Sequence, residues 1–194
     1  IESRFAIPAD DLNSDGVADC LIAEPAAVTA VSGADGKRIW RTAVPDTPAQ
    51  IHVSRGILVL AETFCGACDR DGKMLWSLPL GVPPTQMHQP GDVDGDGCAD
   101  LVTQSRPGKM SLRSGWTGQI LWEVEMWDGI GAPTFITSSP DVLMYFGGYA
   151  TLYSYDRRTG QELWRNFNLP MLAHLRVIPD ANGDGRPDLL AIPS

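Results

Sequence analysis

The chain has 194 residues, 43% of them hydrophobic, with 20 Gly, 15 Pro and a formal net charge of −9 at pH 7. A packed core is attainable, but this Gly and Pro content suits short strands and turns better than long helices. The acidity argues against a nucleic-acid partner, which wants a basic face, and no apolar run approaches the length of a membrane span.

In chain order, the first predicted strand is Ser3–Pro8, followed by an acidic loop, DLNSDGVAD, from Asp11. Strands at Cys20–Glu24, Val28–Ser32 and Arg38–Val44 follow, the last after the turn SGADG and holding Trp40. A second unit repeats the strands at Gln50–Ser54, Ile57–Ala61, Ala67–Arg70 and Met74–Leu78, with a DRDG turn before Trp76 and no acidic loop. The third has Thr85–Gln89, the loop DVDGDGCAD from Asp92, then Leu101–Gln104, Met110–Arg113 and Ile120–Glu125 with Trp122. The fourth, again without a loop, has Pro133–Thr137, Val142–Phe146, Thr151–Tyr155 and Glu162–Asn166 with Trp164. A partial fifth has Ala173–Pro179, the loop DANGDGRPD from Asp180, and Leu189–Ile192. No long segment has a helical period.

The approximate units are 1–45, 46–81, 82–128, 129–169 and 170–194, and acidic loops fall in alternate units. Four-stranded units of roughly 40 to 50 residues predict an all-β fold, a β-propeller of four full blades plus part of a fifth. Such a count predicts an open segment of a larger propeller of six to eight blades, a piece whose partners include the remaining blades of its parent chain. Each Trp is expected on the outermost strand of a blade, where a large ring covers apolar area between neighbours.

The loops have the chemistry of a calcium cage. Alternate residues of a tight loop turn oxygens toward one centre, and a hard cation collects about 6–8 of them. Side chains at positions 1, 3, 5 and 9 and the carbonyl at position 7 give three predicted ligand sets. These are Asp11, Asn13, Asp15, Val17 and Asp19; Asp92, Asp94, Asp96, Cys98 and Asp100; and Asp180, Asn182, Asp184, Arg186 and Asp188. Up to three Ca2+ ions would remove six of the nine net negative charges. The second loop, with four carboxylates, is expected to bind most tightly. An EF-hand needs Glu at position 12, where this chain has Ile22, Thr103 and Ala191. The alternative without metal is an Asx-rich turn.

Other residues leave two readings open. His52, His88 and His174 fall on first strands, and His88, His174 and Arg176 share one face by even spacing. With Trp127 they are a candidate ligand site near the channel mouth, the alternative being packing between blades or exposure to solvent. The FCGAC segment, with Cys65 and Cys68, has the C-x-x-C spacing of redox pairs, but it sits among predicted strands and not before a helix, so a structural disulfide or free thiols is the competing expectation.

The loops from Asp11, Asp92 and Asp180 resemble the calcium loops of FG-GAP/VCBS repeats, and the Trp units resemble those of quinoprotein (PQQ-type) propellers. Together the two likenesses cover nearly the whole chain. They imply a calcium-stabilised, non-enzymatic scaffold for protein or carbohydrate binding or adhesion, located extracellularly, in a periplasm or at a cell surface. They also imply an alternative, the propeller part of a calcium-dependent polysaccharide lyase or a degenerate quinoprotein. Quinone enzymes of that family use adjacent cysteines, and this chain has no Cys-Cys pair.

Overall fold

The computed structural model describes residues 5–80, 87–105, 109–125, 134–139, 142–147, 151–166, 172–185 and 188–193. Among the described residues every regular element is a β-strand. Strands β1 (Ala6–Pro8), β2 (Cys20–Glu24), β3 (Ala27–Val31) and β4 (Arg38–Ala43) form one antiparallel sheet in sequence order. The same order recurs in β5 (Pro48–Val53), β6 (Ile57–Ala61), β7 (Phe64–Cys68) and β8 (Met74–Pro79). It recurs again in β9 (Met87–His88), β10 (Leu101–Ser105), β11 (Lys109–Arg113) and β12 (Ile120–Glu125), and in β13 (Thr134–Ser139), β14 (Val142–Gly147), β15 (Thr151–Asp156) and β16 (Glu162–Asn166). Strands β17 (Leu172–Ile178) and β18 (Asp188–Pro193) pair as a two-stranded sheet.

The chain divides into two compact units. One is Ile1–Pro84 with Gly95–Ala99 and Ser114–Gln119, and the other is Thr85–Asp94, Asp100–Arg113 and Ile120–Ser194. In the first, Leu21, Ala23 and Val28 of the first sheet and Ile51, Ile57, Val59 and Phe64 of the second belong to one buried cluster. The inner strands β6 and β7 are buried along their whole length, which explains their near-continuous apolar sequence, ILVLA and FCGAC. The edge strand β4 is guarded instead by Arg38 and Arg41, which discourage pairing with another chain. In the second unit, among the described residues, Val102, Met110, Leu112, Trp122, Tyr153 and Tyr155 belong to one buried cluster. The two tyrosine rings stack with centroids 6.0 Å apart.

One irregularity recurs in every complete sheet. The pairing of the third and fourth strands shifts register at Ala30/Val31, Ala67/Cys68, Leu112/Arg113 and Ser154/Tyr155. Because Ala30 faces Trp40 while Val31 faces Arg38, Ile39 is the extra residue, and Leu75, Leu121 and Leu163 occupy the same place in the other sheets. A one-residue bulge reverses the side-chain parity beyond it, so it decides which face each Trp takes.

That face meets the next turn along the chain. Trp40 Nε1 donates to the Arg70 carbonyl at 2.8 Å, Trp76 Nε1 to Gly115 at 3.1 Å and Trp122 Nε1 to Arg157 at 2.9 Å. The ring lies against a turn glycine in each case, Gly72, Gly118 or Gly160. At Gly160 a Cβ would come 2.7 Å from Trp122 Cδ2, and φ is +69°, so both space and backbone call for glycine. Trp164 is 42% exposed.

The third strand of the second unit, expected at Ala67–Arg70, is instead β7, Phe64–Cys68. Asp69 and Arg70 belong to the following turn, where Asp69 Oδ1 accepts the N–H groups of Asp71 and Lys73. The tight connection after Ala61 leaves Phe64 and Cys65 in the ladder, where Cys65 faces Leu60. Ser3, Thr85, Pro133 and Trp127 lie outside the described residues.

Candidate metal centre

The three acidic loops connect β1 to β2, β9 to β10 and β17 to β18. Each bends through two left-handed residues. Position 4 is Ser14 (φ 63°), Gly95 (84°) or Gly183 (81°), and position 6 is Gly16 (87°), Gly97 (88°) or Gly185 (84°). Ser14 alone has a side chain in this conformation, which costs about 1–2 kcal/mol relative to a right-handed residue. Ser14→Gly is therefore expected to raise stability by up to about 1 kcal/mol, the remainder being offset by glycine's greater freedom when unfolded. A chemical-denaturation midpoint at or below that of the unmodified chain is the contrary result.

Backbone donors set the carboxylates in place. The position-1 Asp accepts from positions 5 and 6: Asp11 takes Asp15 N–H at 3.1 Å and Gly16 N–H at 2.8 Å, and Asp180 takes Asp184 at 3.2 Å and Gly185 at 2.7 Å. The Gly185 N–H is the main reason the Asp180 carboxyl sits below the ordinary carboxylate range. The position-9 Asp reaches back to position 2: Asp19 accepts from Leu12 at 2.6 Å, Asp100 from Val93 at 2.7 Å and Asp188 from Ala181 at 2.7 Å. Asp19 and Asp100 are buried, so these bonds offset the cost of burying a charge.

The loops differ at position 3. Asn13 Nδ2 donates to Asp15 at 2.8 Å, and this bond is the largest cause of the lowered Asp15 pKa. Asn182 Nδ2 donates to Asp184 and to Asp188, both at 3.3 Å. In the second loop the residue is Asp94, which has no amide to offer. There the carboxylates of Asp92, Asp94 and Asp100 converge, with one oxygen from each lying within 4.8 Å of the others. Two oxygens bound to one calcium at about 2.3–2.6 Å can be no more than about 5 Å apart, so this donor set fits the ion. Its oxygen-only, anion-rich character also favours calcium over magnesium, which retains waters and uses few carboxylates.

Position 7 donates its N–H to position 5, Val17 to Asp15 at 2.9 Å and Cys98 to Asp96 at 2.7 Å. Val17 is exposed and Cys98 buried, and Arg186 lies outside the described residues.

Three kinds of support escaped sequence reasoning. Ser32 Oγ donates to Asp15 Oδ2 at 3.1 Å and Ser114 Oγ to Asp96 Oδ2 at 2.9 Å, each from the turn before the outer Trp strand. Arg70 reaches Asp10 Oδ2 and the Asp11 carbonyl, both at 3.3 Å, and Arg157 reaches the Pro90 carbonyl at 2.6 Å. Arg55 donates to the Asp96 carbonyl at 2.7 Å while its guanidinium lies 4.5 Å from the Trp116 ring centroid. The available sequence signal was that looped units open this turn with Ser-Gly and loop-free units with Asp-Arg.

The second candidate site lies partly outside the described residues. His88 is half-buried in β9, with burial lowering its pKa, and Arg176 is exposed. Trp127 and the side chain of His174 are outside the described residues. Cys65 and Cys68 are buried thiols, and three residues apart on one strand they point to opposite faces. Burial, and then the neighbouring Asp69 charge, pushes the Cys68 thiol up to about 12, so the reactive thiolate of a redox pair is disfavoured.

No family model and no curated protein matches the chain. Solved structures do. Two crystal structures of BBS1N in complex with ARL6DN, soaked with mercury and with lead, align with TM-scores of 0.56 and 0.55 at 9% and 8% identity. Each alignment covers 96% of this chain, which spans 62% and 61% of the two matched chains. BamB from Moraxella catarrhalis also aligns, at 14% identity over 83% of this chain and 60% of its own, with a TM-score of 0.45. The likeness to BBS1N, together with sheets whose four strands pair in sequence order, shows a β-propeller fold.

Proposed function

We propose that the chain is a calcium-stabilised, non-enzymatic propeller scaffold that binds a protein or carbohydrate partner outside the cytoplasm. The convergence of Asp92, Asp94 and Asp100 carries this reading. Carboxylates held this close repel one another, and a divalent ion converts that repulsion into a cross-link between the first two strands of a blade. The FG-GAP/VCBS-like loops and quinoprotein-like Trp units support the same reading, one supplying the ion cage and the other the blade packing. An extracytoplasmic placement suits this reading, because compartments rich in calcium load sites of modest affinity. Protein binding is the favoured role because BBS1N, which shares the fold, is seen in complex with ARL6DN.

Calcium titration by calorimetry, paired with melting in calcium and in chelator, tests the reading. At a hundredfold excess over Kd, one bound ion contributes about 2.7 kcal/mol, a clear rise in Tm. Absence of binding heat together with identical melting in calcium and chelator would overturn it.

A further inference from the structure

The turn before each outer Trp strand has one backbone design. Its first residue donates its N–H to the residue that closes the turn and accepts the glycine N–H: Ser32 with Lys37 and Gly36, Asp69 with Lys73 and Gly72, Ser114 with Gln119 and Gly118, Asp156 with Gln161 and Gly160. Its side chain then caps the turn. Ser32 Oγ accepts from Ala34 N–H and Ser114 Oγ from Thr117 N–H, both at 3.1 Å. Asp69 and Asp156 accept in the same way, from Asp71 at 3.1 Å and from Arg158 at 3.0 Å. Either residue, Ser or Asp, therefore caps the turn, Asp69 accepting also from Lys73 N–H and Asp156 from Thr159 N–H.

They differ in what remains. A hydroxyl that accepts the turn N–H still has a proton to give, and Ser32 and Ser114 give theirs to Asp15 and Asp96 of the adjoining acidic loop. A carboxylate has no proton and would place a second anion against the first. The following residue obeys the same division. A Cβ at Gly33 would run into the Ala18 carbonyl oxygen of the loop, and one at Gly115 into that of Ala99, whereas loop-free blades place Arg70 and Arg157 there.

We infer that Ser32 and Ser114 are positioning residues for the cation loops. Each orients the fifth-position carboxylate of its loop toward a bound ion, and the choice of Ser or Asp at this point decides whether a blade end accommodates such a loop. The inference rests on the calcium reading for its metal-dependent half and on the turn geometry for the other half.

The test uses the whole chain with Ser32 changed to Asp, Ala or Thr, and separately Ser114. Each variant is titrated with calcium and melted in chelator. Ser→Asp is expected to remove one calcium equivalent, Ser→Ala to weaken one site roughly tenfold, as loss of an outer hydrogen bond to a metal ligand does, and Ser→Thr to retain binding because the hydroxyl remains. In chelator Ser→Asp is expected to melt below Ser→Ala. Unchanged stoichiometry and affinity in both Ser→Asp variants would overturn the inference. If the unmodified chain takes up no calcium, the calcium reading and its metal-dependent half fall, and the Asp-against-Ala melting difference in chelator then decides the rest: a deficit upholds the turn geometry, and equal melting removes it.

Discussion

Trp122→Ala is expected to lower the unfolding free energy by about 3–5 kcal/mol, the usual cost of deleting a large buried ring. Trp122 is 7% exposed, lies against Gly160 and donates Nε1–H to the Arg157 carbonyl. Its removal leaves a cavity and an unpaired carbonyl together. Trp164→Ala provides the internal comparison, because Trp164 is 42% exposed and its loss is expected to cost less than about 1 kcal/mol. Urea denaturation of the two variants separates them. Equal losses would mean that the ring at 122 does not clamp neighbouring blades.

The second large effect is at Asp100. Its buried carboxylate accepts from Val93 N–H at 2.7 Å and Asp94 N–H at 3.3 Å, and it is one of the three converging acids. Asp100→Asn preserves shape but exchanges a charged acceptor for an amide, and hydrogen bonds to charged groups are worth about 1.5–3 kcal/mol. If the proposed ion is bound, it is lost as well, so a total of about 4–6 kcal/mol is expected in calcium, built from that term and about 2.7 kcal/mol for a well-occupied site. In chelator the loss is expected to be smaller, because removing one of three crowded charges relieves repulsion. A loss of equal size in both conditions would assign Asp100 a purely structural role.

Much of this was legible because the decisive signals are local. The loops declare themselves in nine residues, and strands such as β2 and β16 fall where expected, at Cys20–Glu24 and Glu162–Asn166. What escaped depends on contacts distant in sequence or on a one-residue offset. Ser32 meets Asp15 across 17 residues and Arg157 meets Pro90 across 67, and alternation along a strand reveals neither. The bulges at Ile39 and Leu121 are invisible for a related reason. Residues on either side read as ordinary strand, and the parity change appears only when the partner strand is placed beside them. The misplacement of β7 arose where the start of the Asp69 turn was read as part of the ladder, and the apolar Phe64–Cys65 pair as a connection.

The alternation of Ser-Gly and Asp-Arg blade ends carries an arithmetic constraint. Each kind interlocks with the other, Arg70 gripping the loop of the blade before it and Arg55 the loop of the blade after it. A ring continuing this rule joins its last member to its first without a mismatch only when the total is even. Six or eight would close seamlessly, whereas seven would set two like neighbours side by side and demand a specialised seam.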